Sequence, residues 1–125
     1  MTVKYSILYV DDEPQNLFAF QAVFRRFFDI VTAEGGREAI DILQKRKFDI
    51  IVSDQRMPSM TGVELCEYAM RNYPSSARVI VTGYSEIETL HQAIKEGKIK
   101  DYVQKPWNVQ EMKDIIEQAI QGNMN

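Results

Sequence analysis

Short apolar runs rich in β-branched residues alternate with longer stretches of helical spacing along this 125-residue chain, and no other feature restricts its fold as much. The runs fall at 6–10, 30–33, 49–53, 78–82 and 100–104. Between them, Leu17, Phe20, Phe24 and Phe27 recur at steps of three and four, which predicts one face of a helix starting near Pro14. Ala39, Ile42 and Leu43 mark a second helix, and Leu65, Cys66, Ala69 and Met70 a third. A fourth, marked by Ile87, Leu90 and Ile94, should stop at Gly97. Val109, Met112, Ile116 and Ala119 mark the last, with Asn108 and Glu111 spaced as a capping box. Five strand–helix units imply an α/β domain: a doubly wound, five-stranded parallel sheet with helices on both faces. The runs Ile50-Ile51-Val52 and Val79-Ile80-Val81 are continuously apolar, as strands buried on both faces should be.

Composition narrows the chemistry. At 45% hydrophobic and 26% charged residues, with a net charge of −3, the chain reads as a soluble globular domain. Lysine and arginine are dispersed, so direct nucleic-acid binding is not expected. No apolar run is long enough to cross a bilayer, and no signal peptide opens the chain, so a cytoplasmic location is expected. A single cysteine, Cys66, excludes an internal disulfide. With one histidine, His91, a cluster of imidazole or thiolate metal ligands is also excluded, and any bound metal must be hard and oxygen-bound.

Open α/β sheets bind ligands beyond the carboxyl ends of their strands, and chemistry-bearing residues collect there. Asp11, Asp12 and Glu13 follow the first run, Asp54 the third, Thr82 and Gly83 close the fourth, and Lys105 and Pro106 follow the fifth. If the first and third strands are central neighbours, three aspartates converge. Such a cluster repels itself and persists only with a compensating cation or altered ionisation. Few oxygen ligands suggest magnesium, completed by waters and a substrate phosphate. A carboxylate nucleophile beside a divalent cation, an ammonium and a hydroxyl suits formation of an aspartyl phosphate.

These motifs resemble the receiver domain of bacterial two-component response regulators. The resemblance rests on Ile7-Leu8-Tyr9-Val10-Asp11-Asp12-Glu13, on Asp49 through Pro58 with Gly62, on Val79-Ile80-Val81-Thr82-Gly83, and on Tyr102-Val103-Gln104-Lys105-Pro106-Trp107. It spans essentially the whole chain, so residues 1–125 are expected to form one receiver domain with any output domain outside them. By that resemblance Asp54 is the phosphoacceptor, Mg2+ is held by Asp11, Asp12, Asp54 and the backbone carbonyl of Arg56, and Thr82 and Lys105 contact the phosphoryl oxygens. Thr82 and Tyr102 form the switch, and the Lys105–Pro106 bond is cis. The phosphodonor would be a histidine kinase or phosphotransfer protein. The output would be a contact, with a partner or a second copy, through the fourth helix, fifth strand and fifth helix. The wording Asp-Gln-Arg-Met-Pro with Lys-Pro-Trp is similar to a subgroup joined to transcriptional or cyclic-dinucleotide output domains. Arg56 and Tyr84 flank the expected path of attacking water and should lengthen the life of the phosphate.

Each residue also has a plainer reading. Asp11 and Asp12 could cap the first helix, and Asp54 could be a turn residue before Met57-Pro58. Lys105 could be a solvated loop lysine, and Tyr102 a surface-packed tyrosine. Two rivals remain at this stage. A phosphatase with an aspartyl-phosphate intermediate would want its second aspartate two residues after Asp11, where Glu13 stands before Pro14. A pseudo-receiver would keep the fold as a binding module and lack the chemistry, against the complete acidic set.

Overall fold

A computed structural model describes residues 4–83 and 86–124. Strands β1 (Ser6–Val10), β2 (Asp29–Ala33), β3 (Ile50–Asp54), β4 (Ala77–Thr82) and β5 (Asp101–Gln104) form one parallel sheet in the order β2-β1-β3-β4-β5. They alternate with helices α1 (Pro14–Phe24), α2 (Gly36–Leu43), α3 (Gly62–Asn72), α4 (Ile87–Lys95) and α5 (Val109–Asn123). Every residue of β3 and β4 is buried, which accounts for the apolar runs Ile50-Ile51-Val52 and Val79-Ile80-Val81 within them.

The pleat sends alternate side chains to two cores. Ile7, Tyr9, Val52, Val79 and Val81 pack under α1 and α5 with Phe20, Phe24, Met112 and Ile116. Leu8, Val10 and Ile51 pack with Ala39, Leu43, Leu65 and Ala69 of α2 and α3. A third cluster joins Ile80 to Cys66 of α3 and to Leu90 and Ala93 of α4.

Two sequence expectations need correction. The helical spacing of Leu17, Phe20 and Phe24 does not extend to Phe27, because α1 ends at Phe24 and the chain turns, with Phe27 and Phe28 amides both bonding the Phe24 carbonyl. Phe27 is thereby left 37% exposed and Phe28 takes the buried place. At α5 only half of the capping box forms: Asn108 Oδ1 accepts the Glu111 amide at 3.1 Å. The reciprocal box stands at α3, between Thr61 and Glu64. Gly97 ends α4 at φ +77°, a left-handed backbone that favours glycine.

Arg78 fixes the far end of α4. It is buried on β4 and donates to the carbonyls of Lys98 at 2.8 Å, Ser76 at 2.7 Å and Gly97 at 3.2 Å. Burial lowers its pKa, yet three carbonyls, two of them at the negative end of α4, receive the charge.

Candidate functional site

Register brings the acidic residues together. Val10 pairs with Ser53 across β1 and β3, so the next residues along, Asp11 and Asp54, stand side by side at the carboxyl end of the sheet. One carboxylate oxygen from each of Asp11, Asp12 and Asp54 lies within 4.8 Å of the others. On the far side of β4, Thr82 pairs with Gln104, which delivers Lys105 to the same edge. There the Lys105 amide donates to the Thr82 carbonyl at 2.7 Å, and the Lys105–Pro106 bond is cis.

Charge governs this corner. Lys105 Nζ is 2.8 Å from Asp54 Oδ1 and 3.9 Å from Asp11 Oδ2. Burial raises the pKa of the Asp54 carboxyl; Lys105 opposes it through its hydrogen bond and charge, while Asp11 and Asp12 add repulsion, and the balance stays raised. For Lys105, burial works to lower the pKa, but Asp54, Asp11 and Glu13 outweigh it and the ammonium is held more firmly protonated. The site is therefore short of positive charge. Three hard oxygen donors at one point, with one of them pushed toward protonation, fit a small divalent cation.

The capping reading of Asp11 fails on geometry. The N-cap of α1 is Glu13, which makes no side-chain cap. Asp11 is instead buried and oriented by two donors, the Glu13 amide to Oδ1 at 3.0 Å and Asn16 Nδ2 to Oδ2 at 3.1 Å. Asn16 was not a sequence candidate, and only its place in the first turn of α1, facing back toward Asp11, could have suggested it. Gln55 was missed too. It is buried beside Asp54, its Oε1 accepts the Val63 amide at 2.9 Å, and its carbonyl accepts the Gly62 amide at 3.0 Å. Those bonds set the start of α3 against the end of β3.

Thr82 is buried at the tip of β4. Tyr102 is half-buried against α4, its hydroxyl 3.4 Å from His91 Nε2 and its ring 5.8 Å from the imidazole. His91 is exposed. Arg56 projects outward two residues past Asp54 and meets Glu86 at 3.2 Å. Tyr84 lies outside the described residues. Tyr9 is buried under the site, stacked on Phe20 at 3.9 Å, and burial with the charges of Asp11 and Asp54 raises its pKa so that it stays a neutral phenol. Trp107 is half-buried and packs on Phe24 at 5.4 Å. A cleft of about 460 Å³ opens beside Lys105 toward α1, lined by Tyr9, Asn16, Ala19, Pro106 and Trp107.

Comparison with known proteins bears on the family and the fold. A family profile described as response regulator receiver domain matches residues 7–117. The hydrogenase transcriptional regulatory protein HoxA of Cupriavidus necator is 30% identical over 117 residues, covering 94% of this chain and 24% of its own length. The chain thus spans about a quarter of such curated relatives. Among solved structures, one described as adenylate cyclase from Rhodopirellula baltica superposes with a TM-score of 0.92 at 30% identity, covering 97% of this chain and 90% of that one. A response regulator receiver domain from Clostridium thermocellum gives 0.89 at 25% identity, covering 96% and 97%.

Proposed function

Because the chain belongs to the response regulator receiver family, a signalling family, we propose that it accepts a phosphoryl group on Asp54 from the phosphohistidine of a histidine kinase or phosphotransfer protein. The observation that carries this reading is the placement of Asp54 in contact with Lys105 and beside Asp11 and Asp12. Asp54 attacks phosphorus in line through the carboxylate, forming one P–O bond as the P–N bond to the donor histidine breaks. Lys105 neutralises charge on the transferring oxygens, and Thr82 offers a hydroxyl to the same group. Asp11, Asp12, Asp54 and the Arg56 carbonyl are the groups to hold Mg2+. When bound, that ion supplies Lewis-acid neutralisation of the phosphoryl charge. Arg56 and Tyr84 shield the product from water, and the domain itself assists both gain and loss of the phosphoryl group.

The product carries about −1.5 to −2 charge where one carboxylate stood. Thr82 and Lys105 reorganise toward it, Tyr102 leaves its place against His91, and the face formed by α4, β5 and α5 shifts between two packed states. That face then engages an output domain or effector, or a second copy of the chain. The role is cytoplasmic signalling. Among the described residues no helix is long and apolar enough to cross a membrane.

Beryllofluoride, a phosphoryl mimic that needs a carboxylate and a divalent cation, tests the reading through Trp107 emission. A saturable change that requires Mg2+ and vanishes in Asp54→Asn is expected. An unaltered response in Asp54→Asn would put the acceptor elsewhere, and no response in the wild type would favour a pseudo-receiver.

A further inference from the structure

Among the described residues the two ends of α4 are held by different contacts. Its C-terminal end is fixed by buried Arg78 through three carbonyls. Its N-terminal end begins at Glu86, which makes no side-chain cap, whereas α3 and α5 are capped by Thr61 and Asn108. The Glu86 carboxylate is turned instead toward the β3–α3 loop, where Arg56 Nε lies 3.2 Å from Oε2. That oxygen is shut off from solvent and accepts no hydrogen bond among the described residues. A buried carboxylate oxygen met by charge alone is poorly satisfied. Arg56 itself is 70% exposed, so the pair is screened and weak.

Arg56 stands two residues past Asp54, and a phosphoryl group there offers a planar guanidinium a denser and better-exposed set of acceptors than one carboxylate oxygen. We propose that Glu86 is a positioning residue for Arg56: it holds the guanidinium at the rim of the site in the resting state and yields it to the phosphoryl group once Asp54 is loaded, freeing the first turn of α4. This rests on Asp54 as the acceptor. Loading of Asp54 then reaches α4 by charge exchange at its N-terminal end, separately from Thr82 and Tyr102. The helix pivots about its fixed end at Arg78. Glu86 and the phosphoryl group compete for one cation, so Glu86 also sets how long the phosphate survives. Hydrolysis breaks the P–O bond to Asp54 as water adds to phosphorus, and Arg56 drawn over that face obstructs the water.

The test loads wild type, Glu86→Gln, Arg56→Gln and the double variant with acetyl phosphate and Mg2+, removes the donor, and follows phosphoryl mass with time. Glu86→Gln should lengthen the half-life roughly two- to fivefold, the range an exposed charge pair can supply. Arg56→Gln should shorten it, and adding Glu86→Gln to Arg56→Gln should change nothing further. Amide exchange over residues 87–90 should rise on loading in the wild type and be raised already in unloaded Glu86→Gln. An unchanged or shorter half-life in Glu86→Gln, or an equal effect with Arg56 absent, would overturn the coupling while leaving the acceptor intact. Absence of any phosphoryl gain in the wild type would instead remove the reading of Asp54, and the coupling with it.

Discussion

Lys105 Nζ sits 2.8 Å from Asp54 Oδ1, an ion pair closed over the end of β4 by two residues 51 positions apart in the chain. It leaves the Lys105 side chain 31% exposed and places its ammonium where a phosphoryl oxygen bound to Asp54 would need it.

Replacing Lys105 with Met should therefore separate chemistry from folding. The pair is partly solvated, so stability should fall by only about 1 kcal/mol. Phosphoryl uptake from acetyl phosphate should fall on the order of a hundredfold, as when one preorganised donor to a developing charge is removed. Rates by intact mass and stability by urea unfolding would check both. A stability loss large enough to account for the lost rate would deny Lys105 a chemical role.

Asp54 should cost the fold stability at neutral pH in the absence of divalent metal. Its folded pKa is raised, chiefly by burial, so the fold prefers the protonated form. The group's favourable contribution is complete below the ordinary carboxylate pKa and is lost as pH rises through the raised folded value. Asp54→Asn should then be more stable than wild type at pH 7 in EDTA, with the gap closing in acid. Urea midpoints across pH would show it, and a variant less stable at pH 7 would contradict the burial argument.

Arg78→Met should be costly for a different reason. Three carbonyls, those of Ser76, Gly97 and Lys98, would lose their donor together. A loss of about 3 kcal/mol is expected, with faster amide exchange near the C-terminal end of α4. A loss below 1 kcal/mol would mean that water replaces the guanidinium freely.

Gly62→Ala tests the packing behind the acceptor. A Cβ there would run into the Asp54 carbonyl oxygen and stand 2.7 Å from Ile80 Cδ1. The backbone oxygen belongs to a fully buried strand and cannot give way, so destabilisation of about 2–3 kcal/mol is expected. Phosphoryl uptake should fall with it, because the shift passes directly to Asp54. A well-folded variant with normal uptake would show that the loop is looser than its contacts imply.

Much of this was legible in the chain because burial wrote it there. β3 and β4 are covered on both faces, and their apolar runs mark strand ends to within a residue; those ends carry Asp54 and Thr82. Asp11 and Lys105 could be assigned by the same logic, each being the first polar residue beyond a strand or close to it. Phe27 misled because helical period describes side chains, while α1 stops where the backbone turns at Phe24, with no glycine or proline to announce it. Asn16, Gln55 and Glu86 were illegible for another reason. Each works through a partner fixed only by folding, and Glu86 meets Arg56 across 30 positions of sequence.

The most direct test of Asp54 as phosphoacceptor is intact-mass spectrometry after incubation with acetyl phosphate, with and without Mg2+, on wild type and Asp54→Asn. One added phosphoryl mass in the wild type, dependent on Mg2+ and absent from the variant, is the expected result. The same gain in Asp54→Asn, or none in a folded wild type that binds Mg2+, would contradict it.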